Sequence, residues 1–444
     1  MTSPRMILGT FLGNNFGVHT GAWRMPHVDP GAYTSIEATV AQAQAAERGG
    51  FHFIFLPDRL FLTGDLVASP PTFNIDPIIT LSAVSQATKQ IGLVATASTS
   101  FTEPYLLARQ LKALDIVSHG RAGWNAVPSF EPDAFASFGR QLPDREDKYE
   151  RLHEVVQIVH ALWGSWEQEA GRPDQAGRFA DPDRVRPVNL RGTHVGARGP
   201  LPIPPSEQGQ PVVVQPASSG LGLQAAGMYA NVVIGMPSSI EEGQTQREIV
   251  RRAATAAGRD PDEIEFLAFA GFTVADTQRE ALDKRRALDD HTNVAGSLAR
   301  LAAYLGLPAQ LTRPDEPLSA GQLASVQAHP RDARSRRVVE LAQAGWSPRD
   351  ILAHAVFDST PFVVGTADQA ADFLQQWFDA GAADGFVASF DDFSTGIDDF
   401  VDGVIPLLRQ RGLFPDGYEG TTLRDHLGLP PQYGLDPRLA TNAG

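Results

Sequence analysis

The chain contains no cysteine among its 444 residues. This absence excludes disulfide bonds, thiolate metal ligands and a cysteine nucleophile, and it suits a reducing compartment. The 11 histidines are scattered and form neither an HExxH nor an HxxxH pattern, so we expect no metal site. No catalytic side chain is identified by pattern alone.

Long apolar runs and positive charge are also scarce. No stretch approaches the roughly 20 apolar residues that a membrane-spanning helix needs, and the N-terminus lacks the apolar core of a signal peptide. The formal net charge is −15, which disfavours binding to nucleic acid or to anionic membranes. We therefore expect a cytoplasmic protein that acts on a small molecule.

What the sequence does contain is an alternation of short apolar runs with amphipathic segments. The stretch 96–129 continues one such run into a turn, a helix that begins at Pro104, a Gly-containing connection and a further strand. Strand–helix–strand units build parallel α/β folds, which place ligands at the carboxyl ends of their strands. Eight strands are predicted in all, at residues 6–12, 51–56, 91–95, 122–127, 212–215, 231–234, 266–274 and 385–390.

These strands and their helices predict the α/β class, with a single (β/α)8 TIM-barrel domain over residues 1–444. Residues 167–211, after the fourth strand, form an insertion rich in Gly, Pro and Arg, which is typical of a lid. Residues 281–359, after the seventh strand, form a second, helical insertion. Residues 412–444 follow the last barrel helix as a polar C-terminal tail.

Polar side chains accompany the ends of several predicted strands. Asp58 comes directly after the second strand, Ser98 lies just beyond the third, and Asn125 lies in the fourth. For each of them alone, helix capping or a turn is the commoner role. Ser218 and Ser219 lie between the fifth strand and the next helix, where free backbone N–H groups, the helix dipole and two hydroxyls form an anion site.

Several of these motifs resemble one family. The segments STSFTEPYLLAR and GRAGWNAVPS, within residues 96–129, are similar to those of the bacterial luciferase-like flavin monooxygenases. Phe138-Gly139, Tyr149 and the segments TPFVVGT and FVDGVIPLLRQRGLF agree with the same family. The resemblance covers nearly the whole chain, and it is closest to the branch of the nitrilotriacetate, dibenzothiophene-sulfone and long-chain alkane monooxygenases.

This resemblance implies an FMN site at the carboxyl ends of the strands, covered by the 281–359 insertion. It assigns the flavin phosphate to Ser218 and Ser219. Arg145 stands where the family commonly has a histidine that helps to hold the cofactor, and its guanidinium can pair with a phosphate or a carbonyl. The implied cofactor-binding residues are Asp58, Ser98, Asn125, Arg145, Tyr149, Ser218 and Ser219.

The resemblance further implies a two-component monooxygenase. A separate flavin reductase supplies reduced FMN, and a homodimer or homotetramer of this chain uses it with O2 to oxidise a small organic substrate. The cofactor carries the hard chemistry, which accounts for the lack of an evident catalytic side chain. Two alternatives remain open: a deazaflavin-dependent oxidoreductase of the same superfamily, and a non-catalytic flavin-binding barrel, to which the departures from family histidines at Glu103 and Arg145 point.

Overall fold

Eight parallel strands close into a barrel in the computed structural model, which confirms the predicted fold. The structure describes residues 5–62, 64, 66–73, 75–171, 177, 179–217, 220–307, 311, 313–328 and 333–436. The ring runs β1-β2-β3-β4-β7-β8-β9-β11 and closes where β11 pairs with β1. The strands are β1 (Ile7–Phe11), β2 (Phe53–Leu56), β3 (Gly92–Ser98), β4 (Ala122–Val127), β5 (Leu190–Arg191), β6 (Gly196–Ala197), β7 (Val212–Pro216), β8 (Val232–Gly235), β9 (Glu265–Ala275), β10 (Phe362–Thr366) and β11 (Gly385–Phe390).

Strand β9 is longer than its neighbours, and two strands pair in succession along one of its edges while β11 pairs along the other. Its residues 265–268 pair with β8, and its residues 271–275 pair with β10. β10 therefore extends the sheet beyond the closed ring. The segment TPFVVGT was matched to the family only as a short motif, and the structure makes most of it a strand.

Helices cover the outside of the barrel. α3 begins at Pro104, as predicted, because the fixed φ of proline suits the first helical position. No helix in the described part of the chain is both long and apolar enough to cross a bilayer. The helices there are α1 (Ile36–Gly49), α2 (Pro77–Ala87), α3 (Pro104–Val117), α4 (Pro132–Ser137), α5 (Arg145–Trp163), α6 (Gly220–Tyr229), α7 (Ile240–Ala256), α8 (Gln278–Asp289), α9 (Val294–Leu305), α10 (Ala320–Ser325), α11 (Ala333–Gln343), α12 (Pro348–Ala353), α13 (Ala367–Asp379), α14 (Gly396–Gln410) and α15 (Leu423–His426).

Ring contacts identify the side chains that face outward from the barrel. Trp124 on β4 packs against Trp163 on α5, with ring centroids 6.0 Å apart. Phe390 on β11 packs against α14, 5.6 Å from the ring of Phe400. Because successive side chains of a strand alternate between its two faces, the neighbouring Asn125 faces the barrel interior.

The two predicted insertions differ in structure. Residues 167–211 carry the β5–β6 hairpin, whose backbone N–H groups at 193–195 donate to the carboxylate of Glu154 on α5. Residues 281–359 contain most of α8 and all of α9 to α12. This helical insertion has its own apolar cluster, which includes Leu301, Val338 and Ile351.

The C-terminal tail packs against the amino-terminal end of the barrel. Leu423 on α15 is fully buried, and a Cβ added to Gly92 at the start of β3 would lie 2.4 Å from its Cδ1. Arg424 is also buried and donates from Nε to the carbonyl of Gln210 at 2.9 Å. The expectation of a polar tail is therefore wrong for this part, because its leucines complete the core.

Candidate functional site

The carboxyl ends of β2, β3, β4 and β7 lie side by side at one rim of the barrel, because these parallel strands are consecutive neighbours in the sheet. We call this rim segment the β2–β7 arc. Asp58 follows β2, Ser98 ends β3, and Asn125 lies in β4. The structure thus brings these three sequence-predicted residues onto one arc.

Asp58 is a half-buried carboxyl. Burial raises the pKa of Asp58 to about 6, the nearby Asp76 carboxylate adds to that rise, and a backbone hydrogen bond from Arg59 opposes it. A carboxyl that exchanges its proton near neutral pH inside a barrel mouth is typical of a functional site.

Ser98 links the ends of β3 and β4. Its Oγ lies 2.9 Å from the Oγ of Ser129 and accepts a hydrogen bond from the backbone N–H of Ser100 at 3.1 Å. The adjoining loop is held by Arg151, whose Nε donates to the carbonyl of Thr99 at 3.0 Å. Ser98 therefore fixes the shape of the arc through internal hydrogen bonds.

Asn125 has one satisfied and one unsatisfied amide atom. Its Nδ2 donates to the Oγ1 of Thr96 on β3 at 2.9 Å. Its Oδ1 is buried and has no hydrogen-bond partner among the described residues. A buried polar atom without a partner is costly, so this oxygen is a good candidate for contact with a ligand.

Gln215 on β7 also has an amide oxygen without a partner among the described residues, but it points outward toward α6, because its neighbour Val214 pairs with the inward-facing Asn125. Its Nε2 reaches the carbonyl of Gly222, in the first turn of α6, at 3.5 Å, and its buried Oε1 lacks a partner within the described residues. Sequence reasoning did not select Gln215.

Arg145 and Tyr149 on α5 lie beside the start of α6. A Cβ added to Gly220 would lie 3.2 Å from Nη2 of Arg145, and one added to Gly222 would lie 3.1 Å from the hydroxyl of Tyr149. Gly220 has a φ of +53°, a conformation that favours glycine. The structure therefore brings both predicted side chains to the first turn of α6.

Ser218 and Ser219, the predicted phosphate-binding pair, lie outside the described residues. Their flanking residues Ala217 and Gly220 connect β7 to α6. The assignment of the pair to a phosphate stays a prediction.

A second polar cluster lies across the barrel, at the ends of β9 and β11. Asp391 directly follows β11, and its Oδ2 accepts hydrogen bonds from Thr273 and from Arg285 of α8, the latter at 2.9 Å. Arg285 also donates to Asp358 at 2.8 Å. Burial raises the pKa of Asp391, and the Arg285 guanidinium opposes that rise.

This cluster, Thr273, Arg285, Asp358 and Asp391, is called the Arg285 cluster below. Sequence reasoning missed it. Asp391 carries the signal that singled out Asp58, an acid directly after a buried parallel strand. Its Oδ1 and the Nε of Arg285 are buried and have no partner in the part of the chain that the structure describes.

A cleft of about 1670 Å³ separates the helical insertion from β10 and α13. Aromatic side chains from both sides line it, including Tyr304, Trp346 and Phe362. Asp358 also lines the cleft, so the Arg285 cluster lies between the cleft and the barrel mouth.

One group of potential metal ligands was not selected from the sequence. Asp147, Glu150 and His194 place one ligand atom each within 4.8 Å of one another, where α5 meets the β5–β6 hairpin. The two acids are exposed. The group lies apart from the barrel strands and contains none of the predicted site residues.

Comparison with known proteins gives full-length matches. N-acetyl-S-(2-succino)cysteine monooxygenase of Bacillus subtilis (strain 168) is 36% identical over 439 residues, which cover 97% of this chain and 98% of that protein. Nitrilotriacetate monooxygenase component A of Aminobacter aminovorans is 34% identical over 444 residues, which cover 96% of this chain and 97% of that protein. The predicted branch and enzyme class, a monooxygenase, are confirmed.

The solved structure of EDTA monooxygenase from Chelativorans sp. BNC1 is similar over 96% of this chain and 99% of that chain, with a TM-score of 0.81 and 30% identity. The family model for luciferase-like monooxygenases matches residues 8–384. On these sequence and structural matches, the chain belongs to the luciferase-like monooxygenase family.

Proposed function

We propose that this chain is the oxygenase component of a two-component system, which uses reduced FMN and O2 to oxidise a small organic substrate. The observation that carries the proposal is the buried amide oxygen of Asn125, Oδ1, which faces the barrel interior on the β2–β7 arc and has no partner among the described residues. An isoalloxazine ring and its ribityl chain carry N–H and O–H donors that suit such acceptors. When bound, the flavin supplies the oxygen-activating chemistry.

The turn between β7 and α6 is the proposed phosphate site. Helix N-termini bind phosphate through free backbone N–H groups and the helix dipole. Ser218 and Ser219 would add hydroxyl donors, Arg145 a charge and Tyr149 a further hydroxyl. The proximity of Arg145 and Tyr149 to Gly220 and Gly222 supports this assignment.

The other arc residues have complementary roles in this proposal. Asp58, with a pKa of about 6, can donate or accept a hydrogen bond at the flavin edge. Ser98 holds the ends of β3 and β4 in register through Ser129. The helical insertion 281–359, which brings Arg285 and Asp358 to the barrel mouth, limits the access of water there.

Phe11 and four aromatic rings around it provide an apolar floor for the mouth. The ring centroids of Phe55, Phe73, Phe269 and Phe393 lie between 5.7 and 6.3 Å from that of Phe11. We call these five residues the Phe11 cluster. It gives an apolar substrate a surface to pack on, and it closes the interior of the barrel to water below the flavin.

The partners in this proposal are a separate flavin reductase and further copies of this chain in the cytoplasm. The reductase is suggested by the relative described as component A of its system. A homodimer or homotetramer is supported by large apolar side chains on the neighbouring helices α2 and α3, where Ile79 is 66% and Leu106 is 47% exposed. Size-exclusion chromatography of Leu106→Glu tests this contact, and an unchanged elution volume contradicts it.

Equilibrium titration tests the cofactor. The purified chain is titrated anaerobically with reduced FMN, reduced riboflavin and reduced deazaflavin. We expect one tight site per chain for FMN and weaker binding of riboflavin, which lacks the phosphate. Preference for the deazaflavin favours the alternative oxidoreductase, and tight FMN binding with no oxygen-dependent oxidation of any substrate favours the non-catalytic barrel.

A further inference from the structure

The Arg285 cluster and Asn125 face each other across the barrel mouth. β4 and β11 are four places apart in the closed ring of eight strands, so they form opposite walls. Asn125 faces inward from β4. Phe272 on β9 packs outward against Phe400, with ring centroids 5.0 Å apart, so the next residue, Thr273, faces inward and brings Asp391 with it through their hydrogen bond.

One carboxylate oxygen of Asp391 accepts hydrogen bonds, and the other has no partner among the described residues. Asp391 is 3% exposed, and its two donors among the described residues, Thr273 and Arg285, both reach the same oxygen, Oδ2. Two donors on one oxygen suit an ionised carboxylate. Oδ1 is buried without a partner among the described residues, which is costly for a purely structural pair.

The charges around Asp391 determine whether a cationic or an anionic ligand is favoured there. Arg285 supplies one positive charge, whereas Asp391 and Asp358 supply two negative ones. His19, on the loop after β1, is hydrogen-bonded to a further acid, Asp289, at 3.2 Å. The guanidinium also lies 4.5 Å over the ring of Phe362, which helps to fix it in place. An anionic group would therefore be repelled here, and a cationic donor is attracted.

We propose that Asp391 anchors the organic substrate, with Oδ1 accepting a hydrogen bond from a protonated amine while the apolar part of the substrate packs on the Phe11 cluster. Arg285 is the positioning residue that holds Asp391 in this orientation. The inference rests on the proposed function, because it places the substrate on the wall opposite the flavin. It narrows the substrate class to organic ammonium compounds.

Three probes of matched size test the inference in the FMN-loaded protein: benzylammonium, benzyl alcohol and benzoate. Binding is followed through the visible difference spectrum of oxidised FMN, which requires no turnover. We expect benzylammonium to bind at least about tenfold more tightly than either other probe, as is usual for a charge-assisted hydrogen bond. Asp391→Asn should remove that preference while leaving FMN affinity within about twofold.

Asp392 supplies the matched control. It is the adjacent buried acid, but both of its oxygens are engaged: Oδ2 lies 2.6 Å from Nε2 of His27, and Oδ1 accepts from Ser394. Asp392→Asn should keep the preference for benzylammonium. If Asp391→Asn does not fold, Asp391→Glu keeps the charge beside Arg285 and displaces the free oxygen by one methylene, and it should also weaken benzylammonium binding.

Three results overturn the inference: a wild-type protein that binds none of the probes or prefers benzoate, an Asp391→Asn variant that keeps the preference, or an equal loss in Asp392→Asn. Failure of the wild-type chain to bind FMN is a different result. It overturns the proposed function itself, and the inference falls with it.

Discussion

Asn125 and Thr96 form a hydrogen bond of 2.9 Å between adjacent strands of the barrel, and this bond uses the amide nitrogen of Asn125 and leaves its oxygen without a partner among the described residues. The bond fixes the orientation of the amide, and with it the position of Oδ1 in the barrel interior. The protein thus keeps a buried polar atom that packing alone would disfavour.

The first prediction follows from this unpaired oxygen. Asn125→Leu removes it, so thermal stability of the cofactor-free chain should stay the same or rise, while FMN affinity should fall by about tenfold, the equivalent of one lost hydrogen bond. Calorimetry and a flavin titration on the same preparation measure both quantities. A variant that loses stability but binds FMN normally would assign Asn125 to the core.

The second prediction concerns Arg145 and the phosphate. Arg145→Ala should weaken binding of FMN by about tenfold or more and leave riboflavin binding almost unchanged, because only FMN carries the phosphate. The double change of Ser218 and Ser219 to alanine should act in the same direction. Arg252→Ala is the control, since this exposed residue pairs with Glu248 on the outer helix α7. Equal losses of affinity for FMN and riboflavin would show that Arg145 does not contact the phosphate.

The third prediction concerns the pH dependence of Asp58. Its pKa is raised from 3.8 to about 6 in the folded chain, so ionisation costs stability as the pH rises from about 4 through 6. Asp58→Asn removes this cost. The variant should differ little from the wild type at pH 4 and exceed it by about 2 kcal/mol at pH 7.

Urea denaturation at the two pH values measures this difference. A gap that is the same at pH 4 and at pH 7 would show that the carboxyl does not titrate in this range. The same variant should bind FMN more weakly, because it can no longer carry a charge at the flavin edge.

The fourth prediction is that the C-terminal tail stabilises the fold and takes no part in binding FMN. Leu423→Ala should lower the free energy of unfolding by about 2–5 kcal/mol, as expected for a leucine that leaves a cavity in a core. Leu435→Ala, at a partly exposed position in the same tail, should change it by less than about 0.5 kcal/mol. FMN affinity should be unchanged in both. A loss of FMN binding in Leu423→Ala at a temperature where it stays folded would contradict a purely structural tail.

The barrel was predictable because its strands are short, buried apolar runs separated by helices. The boundaries of the strands were less predictable. The sequence predicts that the third strand ends at Ala95, whereas β3 continues to Ser98. Thr96 and Ser98 are polar, so the apolar run stops before the strand does. Residues that face the mouth of a barrel need not be apolar. Polarity near the strand ends singled out Asp58 and Asn125, which the structure has directly after β2 and within β4.

The opposite wall of the mouth was not predictable. Arg285 and Asp391 are 106 residues apart, and neither belongs to a motif that spacing reveals. β10 was missed for a related reason, since its partner is the overhanging half of β9 rather than a neighbour in sequence. The tail was read as polar because its buried leucines are spaced among exposed charged residues.

A crystal structure of the chain with FMN tests the central claim most directly. We expect the isoalloxazine on the β2–β7 arc within hydrogen-bond distance of Asn125, and the phosphate at the turn between β7 and α6, beside Arg145. FMN bound in the cleft between the helical insertion and β10, or at the amino-terminal end of the barrel, would contradict the account.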